Sequence, residues 1–208
     1  MSILITRNFN ELGFINLIFK FVDNFIIIDE KHMKSTIKII VIGEPAAGKT
    51  SLVKRFVTSH FSTDYRASIG ANMFIKKLIL DSGHEIKIQL WDIAGQERWI
   101  KMRHLYYKGT QGALILGDLT REKSFTQIEN FWCPDIGKYC TEVPIILIAN
   151  KNDLNSNISE NAVRSLGERI NAQDILFTSA KTGENVEKAF KLISELVIKN
   201  LMKKKQIT

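Results

Sequence analysis

Cysteine is scarce in this sequence, with two residues among 208. Cys133 and Cys140 stand seven positions apart in a segment predicted to be helical, which is neither a metal-ligand spacing nor a disulfide framework. Such cysteine usage is typical of a protein from a reducing compartment. A disulfide-stapled secreted domain and a cysteine-ligated metal domain are therefore not predicted.

Long uninterrupted apolar runs are also missing. The most apolar stretch, from Leu12 to Ile28, contains Lys20 and Asp23, whereas a membrane-spanning helix needs about 20 predominantly apolar residues. No charged region followed by an uninterrupted apolar core begins the chain, so a secretory signal is not predicted. The polar residues of this stretch recur at helical spacing, which predicts an amphipathic helix with a narrow polar stripe.

Acidic residues are outnumbered, and the formal net charge is +7. A positive excess raises the question of a nucleic-acid partner. The basic residues are scattered, however, apart from Lys199 and the run Lys203, Lys204 and Lys205, and no aromatic residues interleave with them in an RNA-binding pattern. No nucleic-acid partner is therefore predicted.

Predicted strands and helices alternate from Thr36 onward. This alternation predicts an α/β fold, with a mainly parallel sheet covered on both faces and a hairpin at one edge. Pro134 lies inside the second predicted helix, where it implies a kink or break. The predicted strands are 37–42, 73–80, 85–91, 113–116, 143–149 and 175–178, and the predicted helices are 48–59, 124–139, 158–170 and 185–201.

A phosphate-binding motif, Gly-x-x-x-x-Gly-Lys-Thr, follows the first predicted strand and leads into a helical pattern. This context suits a phosphate-binding loop, because inward-facing backbone N–H groups and a helix N-terminus both favour an anion. Lys49 is predicted to reach the β- and γ-phosphates, and Thr50 to coordinate Mg²⁺. The residues predicted to bind nucleotide here are Gly43, Glu44, Ala46, Ala47, Gly48, Lys49, Thr50 and Ser51.

The sequence Trp-Asp-Ile-Ala-Gly-Gln-Glu-Arg follows the third predicted strand. Asp92 ends that strand beside the phosphate loop, where a carboxylate can hold the Mg²⁺ shell. Gly95 lets a backbone N–H approach the γ-phosphate, because it has no side chain. Gln96 is predicted to orient the attacking water.

Two more loops are predicted to recognise the base. The motif Asn-Lys-x-Asp at 150–153 ends a buried strand, and its Asp153 can accept hydrogen bonds from guanine N1 and N2, which adenine does not present in that arrangement. Lys151 offers its aliphatic stem to the ring face, and Asn150 can tie neighbouring loops together. The loop after the last strand contributes Ser179, Ala180 and Lys181, with the Ala180 N–H as a donor to the base.

These motifs, in this order and spacing, resemble the Ras superfamily of small GTPases over about 36–201, and most closely its Rab branch. The resemblance implies a three-layer P-loop NTPase fold: a six-stranded, mainly parallel sheet with one antiparallel edge strand, flanked by five helices. It also implies GTP and GDP as ligands, Mg²⁺ as cofactor, and effector, exchange factor and GTPase-activating protein as partners. Two loops are expected to respond to the γ-phosphate.

Further site residues follow from the resemblance. Phe61 is expected to pack near the base and Tyr65 to lie over the phosphates. Ser68 is expected to coordinate Mg²⁺ with Thr50 and Asp92, while Gln96 and Lys49 are the predicted catalytic residues.

Three departures from the family bear on the function, whereas Ile93 and Ala149, which replace residues that are often Thr and Gly, are expected to matter little. Ser68 replaces a threonine, and its hydroxyl can still bind Mg²⁺ but lacks the methyl that stiffens χ1. Pro45 removes an N–H from the phosphate loop and places a ring where Gln96 and an incoming arginine would pack. The last residues contain no cysteine for prenylation, which puts the usual lipid anchor in doubt.

Two functions of different class are compatible with these residues. The first is a switch that slowly hydrolyses GTP and binds effectors through its two nucleotide-sensitive loops, in the cytoplasm or peripherally on a membrane. The second is a GTP-locked binding module in which Pro45 and Ser68 have blunted hydrolysis. The retained Gln96 favours the first, because positioning supplies most of the catalysis of phosphoryl transfer.

Three segments are predicted: an apolar extension at 1–35, a small GTPase domain at 36–201 and a basic tail at 202–208. The extension has two interpretations. Its apolar helix either contacts a membrane interface, or a groove of the protein, in place of the missing lipid anchor, or translation starts at Met33 and 1–32 is not part of the working protein.

A chain that begins at Met33 should fold and bind GTP as the full chain does, because nothing in the predicted domain requires the extension. Sedimentation with anionic liposomes distinguishes the two interpretations. Membrane contact predicts that the full chain sediments while the shortened chain stays in the supernatant. Mass spectrometry of the native protein starting at Met33 would eliminate the anchor.

Overall fold

Strand β1 (Ser35–Gly43) runs through the middle of a single six-stranded sheet in the computed structural model, which describes residues 35–61, 70–95 and 102–206. The strands lie in the order β2-β3-β1-β4-β5-β6. The other five are β2 (Ala71–Ile79), β3 (Glu85–Ile93), β4 (Gly112–Asp118), β5 (Ile145–Asn150) and β6 (Asp174–Thr178).

Five helical segments flank the sheet in the described part of the chain. Four are regular: α1 (Lys49–Thr58), α2 (Arg103–Tyr107), α4 (Glu160–Arg169) and α5 (Val186–Gln206). The remaining segment, α3, joins α-helical Glu122–Gln127, a π turn at Ile128–Trp132 and α-helical Cys133–Gly137.

The strand pairing confirms the predicted fold class. β1 pairs in parallel with β3 and β4, and β4–β5 and β5–β6 are also parallel. β2 pairs antiparallel with β3 and forms the edge. Because parallel strands end at the same edge of a sheet, the last residues of β1, β3, β4, β5 and β6 come together there, and ligands of such sheets bind at that edge.

The core has two layers, one on each face of the sheet. Alternate residues of β1 supply both: Ile39 and Val41 pack on the side of α1 and α5, and Ile40 and Ile42 on the side of α2 and α3. This two-sided burial explains the continuous apolar runs of the central strands.

Helix α3 differs from its prediction at the expected break. In a regular helix the ring of Pro134 would collide with the carbonyl four residues earlier, and its missing N–H would leave that carbonyl unpaired. The π turn ends two residues before Pro134 and widens the backbone at this point. The proline therefore follows a π turn within one continuous segment.

Two other helices also differ from the prediction. Helix α2 was not predicted, and α5 continues to Gln206 rather than stopping near 201. No helix in the described ranges is long and apolar enough to cross a membrane.

Candidate functional site

The loop from β1 to α1 surrounds the ammonium group of Lys49. Its Nζ donates to the carbonyl oxygens of Gly43 and Glu44, both at 2.8 Å, and the residue is only 6% exposed. Gly48 precedes the helix with φ of 94°, a left-handed conformation that favours glycine. The loop therefore closes around a buried positive charge at the start of a helix.

Burial governs the protonation of this lysine. It lowers the pKa of Lys49 to about 8, because desolvation penalises the charged form. The charges of Asp92 and Glu44 raise this pKa, while those of Arg121 and Arg103 lower it further. The ammonium group is thus held in a place where added negative charge would stabilise it.

Thr50 and Asp92 form a pair beside the lysine. The Thr50 hydroxyl donates to Asp92 Oδ2 at 2.6 Å, and Asn72 Nδ2 donates to the same oxygen at 3.4 Å. Asp92 is fully buried, and its Oδ1 has no hydrogen-bond partner among the described residues. Burial raises the pKa of Asp92, opposed by the Thr50 hydrogen bond and the Lys49 charge.

This pair fits Mg²⁺. A buried carboxylate oxygen without a partner is costly unless a donor or cation reaches it. Mg²⁺ prefers hard oxygen ligands, keeps several waters and usually takes only one or two carboxylates together with substrate phosphates. The described residues contain no group of three or more His, Cys, Asp or Glu side chains, and a site of this kind does not require one.

Gly95 touches the phosphate loop through its backbone. A Cβ built on Gly95 would lie 2.6 Å from the carbonyl oxygen of Gly43 and 2.7 Å from the nitrogen of Pro45. Both neighbours are backbone atoms that cannot move aside, so only glycine fits. The loop after β3 is thereby brought against the loop after β1.

Asn150 ties the phosphate loop to the loops after β5 and β6. Its Nδ2 donates to the Ala47 carbonyl at 2.9 Å, and its Oδ1 accepts from Thr178 Oγ1 at 3.1 Å and from the Ala180 N–H at 3.4 Å. A Cβ on Gly48 would lie 2.3 Å from Asn150 Nδ2, so the second glycine of the motif also allows this contact. The Ala180 N–H, predicted as a donor to the base, is directed at Asn150 by a long hydrogen bond.

Asp153 lies between the two predicted base loops. Its Oδ1 accepts from Ser179 Oγ at 2.6 Å, and Lys181 Nζ lies 3.9 Å from its Oδ2. The Lys181 side chain is largely exposed, so its charge adds little to the affinity of this contact. The structure thus brings together Asp153, Ser179 and Lys181, and their contact with the base stays a prediction.

Asp118, at the end of β4, was missed by the sequence reasoning. Its fully buried carboxylate accepts from the Thr120 N–H at 3.0 Å, Thr120 Oγ1 at 2.7 Å, Arg121 Nε at 2.8 Å and Lys151 Nζ at 2.7 Å. Burial alone would raise the pKa of Asp118, but the bonds from Lys151, Thr120 and Arg121 together hold it below its ordinary value. The signal was available, since an acid ends this strand and Asp92 is the last residue but one of β3.

Arg121 and Trp132 are two further contacts of the phosphate loop that no motif indicated. Arg121 Nη2 donates to the Pro45 carbonyl at 2.7 Å, and Trp132 Nε1 donates to Glu44 Oε1 at 3.4 Å. Both residues belong to the chain that follows β4. Arg121 reaches the loop because β4 lies beside β1, and Trp132 reaches it because α3 packs against the sheet.

Five predicted residues have no contact with the site that the structure describes. Tyr65, Ser68 and Gln96 lie outside the described residues. Phe61 is the last described residue before one of these gaps and is 38% exposed, so its contact with the base stays a prediction. Ser51 lies in the first turn of α1, partly buried, next to Thr50.

A parallel sheet whose first loop encloses a lysine at a helix N-terminus, with an aspartate at the end of the neighbouring strand, defines a P-loop nucleotide-binding protein. Residues 38–199 match the sequence profile of the Ras family. The chain belongs to the Ras family, and within that superfamily to the Rab branch. It is a GTPase, as the sequence predicted, and a GTP-binding switch.

Three relatives illustrate the similarity. The chain is 35% identical over 187 residues to Ras-related protein Rab-32A of Dictyostelium discoideum, covering 86% of this chain and 85% of the relative. It is 40% identical over 173 residues to GTP-binding protein YPT53 of Saccharomyces cerevisiae, covering 78% and 76%. It is 36% identical over 170 residues to Ras-related protein Rab-32 of Homo sapiens, covering 78% and 75%.

The affinity for GTP should fall as the pH rises above 8. The pKa of Lys49 is about 8 before binding, and nearby phosphate charge raises it, so binding is strongest while the lysine is protonated. The association constant should be constant below that pKa and then fall by up to about tenfold per pH unit, until the pKa of the bound state is reached. Calorimetric titration between pH 7 and 9 measures this slope.

The matched control is Lys49→Arg, which stays charged throughout this range. Any slope that persists in the variant belongs to the nucleotide and is subtracted. Equal wild-type affinity at pH 7 and pH 9 after that subtraction would contradict the assignment of Lys49.

Proposed function

We propose that this protein cycles between GTP and GDP with Mg²⁺ bound, and hydrolyses GTP slowly on its own. The observation that carries the proposal is the buried trio of Lys49, Thr50 and Asp92. An ammonium group, a hydroxyl and a partnerless carboxylate oxygen lie at one end of a strand–loop–helix unit. Such a set suits a triphosphate and its cation better than any uncharged ligand.

Each member of the trio has a separate task in this proposal. Mg²⁺, when bound, neutralises charge on the phosphate oxygens. Thr50 and Asp92 hold that cation through oxygen atoms, with Ser68 as the further predicted ligand. Lys49 exchanges its two carbonyl partners for phosphate oxygens, which raises its pKa and fixes its proton.

Guanine selectivity is proposed for the loops after β5 and β6. Asp153 presents a carboxylate whose Oδ1 is already fixed by Ser179, so its orientation is set before the base arrives. A site built around such an acceptor rejects an analogue that leaves it unpaired, by on the order of 10⁴ or more. Lys151, fixed by Asp118, stands at the neighbouring position of the same loop.

Slow hydrolysis follows from the residues that surround the phosphate loop. Gln96 is proposed to align the attacking water. The two arginines whose charges reach Lys49 are both engaged: Arg121 with Asp118 and Pro45, and Arg103 with Asp135 and the rings of Phe131 and Trp132. Neither is free to act on the transferring phosphoryl group, so an arginine from a partner could accelerate the reaction by about 10³–10⁵.

A GTP-locked binding module is the second candidate. The observation in its favour is the tight contact between Gly95 and the nitrogen of Pro45. This contact puts the proline ring beside the loop that leads into Gln96, where it can obstruct water alignment or an arginine supplied by a partner. The two candidates differ only in the rate of hydrolysis.

The partners follow from the switch. We infer that effectors, an exchange factor and a GTPase-activating protein bind the two loops that sense the γ-phosphate, in membrane traffic as the resemblance to the Rab branch implies. Membrane contact through 12–28 stays a prediction, because those residues lie outside the described ones.

Asp153→Asn should weaken GTP binding and shift the preference toward xanthosine triphosphate. The new amide donates where guanine also donates, whereas the C2 carbonyl of xanthine can accept from it. Leaving a buried donor unpaired costs about 1–3 kcal/mol, so GTP should bind at least about fivefold more weakly. Competition titrations with both nucleotides measure the change. Unaltered GTP affinity would show that Asp153 does not contact the base.

Single-turnover hydrolysis of preloaded GTP separates the two candidate functions. The switch should hydrolyse GTP at a rate on the order of 10⁻⁴ to 10⁻² per second at 25 °C, and Gln96→Leu should slow it without changing GTP affinity. Pro45→Gly removes the proline ring and so tests whether that ring obstructs hydrolysis. A wild type with no measurable hydrolysis, and a Pro45→Gly variant that hydrolyses GTP, would favour the locked module.

A further inference from the structure

Arg121 joins the phosphate loop to the end of β4 through two different nitrogens. Its Nε donates to Asp118 Oδ2 at 2.8 Å, and its Nη2 donates to the carbonyl oxygen of Pro45 at 2.7 Å. Nε and Nη2 belong to one rigid planar guanidinium group, so fixing the first bond also fixes the direction of the second. The direction of the hydrogen bond to Pro45 is therefore set by the bond to Asp118.

The Pro45 carbonyl shares a peptide plane with the N–H of Ala46. The described chain has no cis peptide bond, so these two groups point in opposite directions across the plane. Holding the carbonyl toward Arg121 directs the Ala46 N–H to the other side of the loop. That N–H donates to no backbone carbonyl in the described ranges, so it is available to a ligand.

Ala46 also has an unusual backbone conformation. Its φ is 62°, in the left-handed region that residues with a Cβ seldom adopt. Such a conformation costs free energy in a residue with a Cβ and persists only where the surroundings determine it. Pro45 contributes no N–H that could hold the loop from within. The turn is closed from within by the Ala47 N–H, which donates to the Glu44 carbonyl at 3.2 Å, and Arg121 adds a contact from outside at its central peptide.

We propose that Arg121 is a positioning residue of the phosphate loop, which fixes the Pro45–Ala46 peptide plane so that the Ala46 N–H donates to a phosphate of the bound nucleotide. The inference rests on the proposed function, since it adds a positioning residue to a loop donor already predicted at Ala46.

The anchor of this arginine is rigid. Asp118 is fully buried and accepts from Thr120 and Lys151 as well as from Arg121, so its carboxylate cannot rotate freely. Lys151 belongs to the predicted base loop. The chain of contacts from Lys151 through Asp118 and Arg121 to Pro45 thus connects the base side of the site to the phosphate side.

Arg121→Gln is the direct test, read as the ratio of GDP affinity to GMP affinity. Both nucleotides carry the same base, but GDP has the additional phosphate that the loop should recognise. GDP binding should weaken by about tenfold, the equivalent of one hydrogen bond to a charged group. GMP binding should change by no more than about twofold. Competition against a fluorescent GDP analogue measures both constants.

Arg121→Lys separates charge from geometry. Lysine keeps the positive charge beside Asp118 but lacks the planar fork that directs a second nitrogen at Pro45. The variant should lose GDP affinity as Arg121→Gln does, while its thermal unfolding stays close to that of the wild type. Arg164→Gln is the matched control: its Nε and Nη2 contact Glu160 within α4, and both of its affinities should be unchanged.

The amide proton of Ala46 gives a direct readout in solution. Addition of GDP should shift its NMR resonance downfield in the wild type and in Arg164→Gln, because a hydrogen bond to phosphate deshields the proton. The shift should shrink in both Arg121 variants.

Three results would overturn the proposal while leaving the proposed function intact. They are unchanged GDP affinity in Arg121→Gln, equal losses for GDP and GMP, and full GDP affinity in Arg121→Lys. Failure of the wild type to bind guanine nucleotides at all would instead overturn the proposed function, and this inference with it.

Discussion

The buried ammonium group of Lys49 is the constraint on which the rest of the site depends. A lysine that is 6% exposed loses most of its hydration, so its charge must be met by carbonyl oxygens and carboxylates. The carbonyls of Gly43 and Glu44 meet it directly, and Asp92 does so at longer range. The loop can bend around the lysine only because its glycines allow backbone to approach backbone and side chain closely. The buried charge, the conformation of the loop and the affinity for phosphate therefore depend on one another.

The sheet makes this arrangement rigid. β1, β3, β4, β5 and β6 are parallel, so their last residues meet at one edge and each contributes a polar group there. Asn150 fastens the phosphate loop from the base side, and Arg121 fastens it from the end of β4. The Asn150 bond is buried, where an unmade hydrogen bond costs more than a made one gains, whereas the Arg121 side chain is 42% exposed. The site is held in shape before a ligand enters.

The contact between the phosphate loop and the loop after β3 is made by backbone atoms and not by side-chain hydrogen bonds. Gly95 lies so close to the backbone of Gly43 and Pro45 that its position has no room for a Cβ. The loop after β3 is expected to change conformation when the γ-phosphate is lost. Because it meets the phosphate loop through backbone atoms at Gly95, no side chain has to rearrange at this contact. Pro45 adds stiffness at this point, because its ring fixes φ. The same residue therefore affects both the shape of the phosphate loop and the access of water to it.

The sequence by itself determined the fold class, the family, the phosphate and base motifs and most strand positions. These features are local: a β-branched run, a glycine spacing or a strand-end acid is set by a few adjacent residues and their backbone preferences. It did not reveal α2, the π turn before Pro134, or the roles of Asp118, Arg121 and Trp132. Arg121 and Pro45 are far apart in the chain, and their contact exists only because β4 lies beside β1 in the sheet. Tertiary structure decided these contacts because pairing distant strands, and not any nearby residue, brings their ends together.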